Sequence, residues 1–133
     1  MAFVHGKNTY VSLDGDDLSA FANTSNLKTE ADEHDVTTYG KNAHVFVGGL
    51  KKGSAGISGV YDNSVTGPRA IIQPLVGTVV ELIRRTEGTG TGKPQQAVDV
   101  HVKSYEETNP VADMVTWSVE LTLSDEVTNT TQA

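Results

Sequence analysis

The feature that most constrains this chain is the strand periodicity of its last third. Val115, Trp117, Val119, Leu121 and Leu123 fall on every second residue, with Thr116, Ser118, Glu120 and Thr122 between them. Successive side chains on a strand point to opposite faces, so this pattern specifies a strand with one buried and one solvated face. Upstream, Val98, Val100 and Val102 alternate in the same way with Asp99, His101 and Lys103. The segment Glu106-Glu107-Thr108-Asn109-Pro110 is too polar for a core and too short for another element. It is therefore expected to be the turn of a long antiparallel pair. Such a pair is scaffold, and it moves the question from catalysis to assembly.

The rest of the chain carries weaker versions of the same signal. Thr9 to Leu13 reads as a first short strand, stopped by the turn-formers Asp14-Gly15-Asp16-Asp17. From Ser25 to Asp35 the alternation returns, with Leu27, Thr29 and Ala31 on one side and Asn26, Lys28, Glu30 and Asp32 on the other. Asp35 to Asn42, rich in threonine and glycine, reads as an extended loop or a strand end. Ala43 to Val47 reads as a compact apolar strand and Lys51-Lys52-Gly53 as a turn. Ser54 to Tyr61 then reads as a strand with Ala55, Ile57, Gly59 and Tyr61 on one face.

One short helix is expected, with Thr66 as its cap and Pro68 in the first turn, where a missing N–H costs little. Pro74 limits its length. Thr78 to Arg84 is apolar on both faces and reads as a central strand, followed by a mobile loop over residues 87–94. The polar end, Asn129 to Ala133, is expected to be frayed. The fold class that follows is mainly β: an antiparallel β-sandwich or barrel flanked by one short α-helix, in a single domain over residues 1–133.

A chain of 133 residues can bury a modest core unaided. It has no cysteine, which excludes disulfides, zinc–thiolate sites and thiol nucleophiles. No basic segment followed by an apolar run opens it, and no apolar stretch approaches the roughly 20 residues that cross a bilayer. A protein made and kept in a cytoplasm until it assembles is the expectation. The net charge of −7 is unevenly spread: residues 1–40 carry −5, residues 41–95 carry +4 and residues 96–133 carry −6. This is either a scattered solvated surface or a molecule with acidic and basic faces that meet head to tail. An ordinary nucleic-acid binder would present a net basic face instead.

The candidate chemical motifs fail on spacing. Gly88-Thr89-Gly90-Thr91-Gly92-Lys93 looks like a phosphate-binding loop, but Glu87 stands where the first glycine belongs and Pro94 where a Ser or Thr hydroxyl belongs. Asp14, Asp16 and Asp17 lack the ligand ladder and closing glutamate of a calcium loop. Glu33, His34 and Asp35 are adjacent on a strand, so their side chains diverge. There is no GxSxG elbow, and Glu106 and Glu107 in a turn would be solvated carboxylates of ordinary acidity. The eight aromatic residues do not interleave with bases as a stacking platform does. Trp117 is expected in the core. No enzyme, cofactor or metal site is expected.

Four segments together resemble the major tail tube proteins of long-tailed bacteriophages with non-contractile tails. They are Asp17-Leu18-Ser19-Ala20-Phe21 after an opening strand, EADEHDVTTYGKN from Glu30 to Asn42, GLKKGSAGISGVYDN from Gly49 to Asn63, and SYEETNPVADMVTWSVELTLSDEV from Ser104 to Val127. Each is a strand-and-turn pattern; the specificity lies in the set, its order and its spacing. The resemblance implies subunits joined as hexameric rings around a channel, with rings stacked into a tube through which phage DNA passes as cargo. It implies the phage tail as location, no membrane partner, and tail tip, terminator and tape-measure proteins as further partners. Contractile tails and bacterial secretion systems carry related tube folds.

On that reading Glu30 and Asp32 are candidates to line an acidic bore that repels DNA rather than binding it. Candidate assembly and stacking residues are Asp35, Thr37, Thr38, Tyr39 and Lys41 in the loop, Lys51 and Lys52 in the expected turn, and the N-terminal segment through Lys7. Unpaired strand edges would be satisfied by a ring neighbour. The alternatives are another phage structural role, such as a head decoration protein or tail completion factor, and a carbohydrate-binding β-sandwich module. The second would show several exposed aromatics on one face.

Overall fold

A computed structural model describes residues 3–133. Met1 and Ala2, part of the N-terminal segment expected to join in assembly, lie outside the described residues. The alternating segments become eight strands: β1 (Tyr10–Leu13), β2 (Asp16–Asp17), β3 (Ala22–Asp35), β4 (Phe46–Val60), β5 (Val79–Arg85), β6 (Pro94–Thr108), β7 (Thr116–Leu123) and β8 (Thr128–Thr131). The helix α1 (Pro68–Ile72) lies between β4 and β5. All pairings are antiparallel, in the order β2-β1-β5-β6-β7-β4-β3, with β8 added to β6. The sheet curls until its ends face each other, so that Arg84 on β5 reaches the Ser25 hydroxyl on β3 at 3.5 Å. This is the mainly-β, helix-flanked sandwich that the alternation predicts.

The core sits inside that curl. Trp117, Val119 and Leu121 of β7 face Val98, Val100 and Val102 of β6, Ala55 and Ile57 of β4, Leu82 of β5, and Val11 and Leu13 of β1, all buried. Leu18 and Ile72 close it from the β2–β3 connection and from α1. Burying each such aliphatic side chain contributes about 1.5–3 kcal/mol. Tyr105 stacks on Trp117 with ring centroids 6.5 Å apart and planes 21° from parallel. The period-two faces of β6 and β7 are thus packed as the sequence specifies.

Several local expectations are corrected. Lys51-Lys52-Gly53 is not a turn but lies mid-strand in β4, which runs unbroken from Phe46. Lys28 and Leu123 crowd the space a side chain at Gly53 would need, so glycine serves close packing there rather than reversal. Glu106 and Glu107 belong to β6, and the chain reverses only after Thr108. Gly67, not Thr66, caps α1, without a side-chain bond; Pro68 takes the first turn, and Pro74 tightens the chain into a 3-10 turn over Gln73–Leu75. β5 is interior, as expected, but Val79 and Glu81 on its outer side are exposed. The C-terminal residues are not frayed: Thr128–Thr131 form β8, and Gln132 pins the 87–94 loop by accepting from the Gly92 N–H at 2.8 Å and donating to the Gly88 carbonyl at 2.8 Å.

Candidate assembly surface

The β3–β4 hairpin is longer than the body it grows from. β4 acquires its second neighbour, β7, only from Ser54 onward, so residues 46–53 pair with β3 alone. That stretch and the 36–45 loop form a two-stranded arm. A bulge bends it where Ala31 pairs with Lys51 but Glu33 pairs with Gly48, leaving Asp32 opposite two residues. The His34 ring lies over Gly49, in the space a Cβ would occupy. β3 itself is an unpaired outer edge for the whole of Ala22–Asp35. Such an edge is a row of free N–H and C=O groups open to another chain.

The arm carries apolar side chains that nothing in the described chain covers. Leu50 is 82% exposed and Phe46 is 54% exposed, with Val45, Val47, Val36 and Tyr39 also exposed. A two-stranded ribbon is marginal alone in water, and grouped exposed apolar residues mark interaction sites. Phe46, Val47 and Leu50 were missed from sequence because an apolar run ordinarily reads as a buried strand.

The loop residues divide into two groups. The Thr37 N–H and hydroxyl both donate to Asp35 Oδ1, at 2.9 and 2.6 Å, and the Val45 N–H donates to Thr37 Oγ1 at 2.8 Å. His44 Nδ1 lies 3.5 Å from the other Asp35 oxygen. The bonds from Thr37 hold the Asp35 carboxyl below its ordinary pKa, with His44 contributing less. Asp35 and Thr37 therefore close the base of the loop. Thr38, Tyr39 and Lys41 lie exposed beyond that closure.

The charged candidates are largely satisfied within the chain. Lys51 pairs with Glu126 at 2.6 Å, joining the arm to the β7–β8 connection, and Lys52 pairs with Asp32 at 3.0 Å. Glu30 faces Lys52 across the strands and lies 3.8 Å from Lys28. Lys103 pairs with Glu120 at 3.9 Å on the same solvated sheet face. Glu30 and Asp32 lie on the polar side of β3 with Lys28 and Lys52 beside them, and the strand registers place Glu81, Asp99, Glu106 and Glu120 on the same solvated face. Among the described residues no three His, Cys, Asp or Glu side chains converge as a metal site requires. No helix among the described residues is long and apolar enough to cross a membrane.

No protein-family model matches the chain, and no curated protein matches its sequence. Solved structures do match. A chain of the virion of a native gene transfer agent particle superposes with a TM-score of 0.79 at 15% identity, covering 96% of this chain and 99% of that one. A chain of the tail of the empty gene transfer agent particle, refined with C6 symmetry, gives 0.77 at 16%, covering 98% and 100%. The SPP1 tail tube gives 0.78 at 13%, covering 98% and 80%. At these identities the likeness is one of fold, and it spans nearly the whole chain.

Proposed function

We propose that this chain is the structural subunit of a phage-type tail tube, self-assembling into stacked rings around a channel for DNA. The observation that carries this reading is the near end-to-end superposition on a chain of a C6-symmetric tail. The arm supports it: a free β3 edge and an uncovered apolar ribbon are what a subunit completed by its neighbours presents. Six-fold rings, with tip, terminator and tape-measure proteins as partners at the tube's ends, belong to the proposal. So does placement in the virion tail.

In this reading β3 adds to a neighbour's sheet within the ring, while Tyr39, Lys41, Phe46 and Leu50 contact the adjacent ring. The solvated face with Lys28, Glu30, Asp32 and Lys52 lines the bore. Its lysines are held in ion pairs, leaving little free positive charge to hold phosphates, which suits a conduit. The work is done by contacts, with no covalent chemistry and no cofactor.

Negative-stain electron microscopy of the purified protein, before and after concentration, tests the reading. Hollow tubes or stacked rings are expected. A particle that stays monomeric throughout but binds an expanded phage capsid would replace the tube by a decoration role.

A further inference from the structure

Arg84 sits at one end of the sandwich, half-buried between the curled edges of the sheet. Its side chain points the same way as Leu82, but beyond the apolar core. The hydrogen bonds it makes go to neutral oxygens: Nε to Ser25 Oγ at 3.5 Å, Nη1 to Thr86 Oγ1 at 3.2 Å and to Gln96 Oε1 at 3.4 Å. It faces a cleft of about 580 Å³ that is lined also by Lys7, Thr24, Ser25 and Thr86 and by no carboxylate. Neither Arg84 nor Lys7 takes part in an ion pair among the described residues. Burial lowers the Arg84 pKa with no acid opposing it. A guanidinium half withdrawn from water without an anion loses solvation that no charge replaces, and its planar fork matches a carboxylate.

A candidate anion source follows β1, the strand beside β5. Arg84 is paired with Val11, whereas β1 finishes at Leu13 and turns through Asp14-Gly15 into Asp16 and Asp17. Asp14 has φ 53° and Gly15 φ 82°, the left-handed pair of a tight hairpin turn, and all three aspartates are exposed. Asp17 is occupied by the Ser19 N–H at 2.8 Å, and none of the three is ion-paired among the described residues. No aspartate of this turn pairs with Arg84 or Lys7 within the subunit. The cleft and the turn can meet between copies, in a heterologous contact that repeats.

We infer that the Arg84 cleft is the docking site for a carboxylate of the Asp14–Asp17 turn of a second copy. The inference rests on the tail-tube reading. Its test compares the critical concentration for assembly, by sedimentation and microscopy, of the wild type, Arg84→Gln, Asp16→Lys and the charge swap Arg84→Glu with Asp16→Lys. Thermal melting of each variant at a concentration where the wild type is monomeric reports the fold. Each single variant is expected to melt near the wild type and to raise the critical concentration about tenfold, the measure of one desolvated charge pair. The swap is expected to recover most of that loss.

Arg84→Gln assembling like the wild type would overturn the inference and leave the tube reading standing. Weakened single variants without recovery in the swap would overturn the acidic turn as the occupant. Inorganic phosphate that shifts the Ser25 and Arg84 amide resonances, with assembly indifferent to Arg84→Gln, would make the cleft a small-anion site. A wild type that never assembles would overturn both readings together.

Discussion

Arg69 grips the Glu107 carboxylate through both oxygens, Nε to Oε2 at 3.1 Å and Nη2 to Oε1 at 2.5 Å. The bond ties α1 to the far end of β6. Its continuation runs inward: the Tyr105 hydroxyl donates to Glu107 Oε2 at 2.9 Å, and the Tyr105 ring stacks on Trp117. Arg69 also lies over the Tyr61 ring, 5.5 Å from its centroid. The short helix has only Pro68 and Ile72 buried, so this chain of contacts is much of what orients it.

Glu107 should therefore set part of the acid stability. Arg69, and then the Tyr105 hydroxyl, hold its pKa below the ordinary value against the opposing effect of burial. A depressed folded-state pKa contributes stability that is complete above the unfolded pKa of about 4.3 and is lost as pH falls through the folded value. Glu107→Gln should lower Tm by a few degrees at neutral pH and flatten the melting profile below about pH 4.5. Thermal melts from pH 7 to pH 2.5 check this, and a Gln variant with the wild-type acid profile would contradict it.

The core makes a sharper quantitative demand. Leu121 is 1% exposed and lies between β4 and β6, so Leu121→Ala removes methyls from a site with little room to collapse. Its expected cost is about 2–5 kcal/mol in urea unfolding. Val111, fully exposed in the β6–β7 connection, should change stability by no more than about 0.5 kcal/mol when replaced by alanine.

What was legible in the sequence follows from where one face meets the core. Val98 to Val102 and Val115 to Leu123 announce themselves because burial enforces period two, and the sandwich follows from them. The course of β4 was not legible. Gly49 and Gly53 mimic turn signals, yet they make room for His34 at a bulge and for Lys28 and Leu123 beside the strand, all distant in sequence. Glu107 read as a solvated turn residue because its partner, Arg69, is brought to it only by the fold. Of the candidate assembly residues, the loop was proposed from its length and polarity. The apolar arm was not, since exposure is a property of three dimensions.

Asp35 should control the loop rather than the fold. Asp35→Ala removes the acceptor for both Thr37 donors and the partner of His44, freeing the loop base. Amide exchange at Thr37 and Val45 should accelerate while Tm stays close to the wild type. In the wild-type protein the same protection should persist above about pH 3.9 and fade as pH falls through the depressed Asp35 pKa. Unchanged exchange at Val45 would show that the strand pairing alone closes the loop.

The arm offers the cleanest separation of folding from assembly. Leu50 and Phe46 contribute little to the monomer's core, being 82% and 54% exposed, so Leu50→Lys and Phe46→Asp should fold with unchanged far-ultraviolet circular dichroism and nearly unchanged Tm. Burying both against a neighbour would contribute roughly 1.5–3 kcal/mol each, and polar replacement forfeits it at every subunit contact. Tubes should be absent at concentrations where the wild type forms them. Reversing Lys51 and Lys52 together should act differently, since their charges are already paired with Glu126 and Asp32. That variant should loosen the arm first, seen as faster exchange over residues 46–53, and weaken assembly as a consequence. Normal tubes from Leu50→Lys and Phe46→Asp alike would remove the apolar arm from the stacking contact.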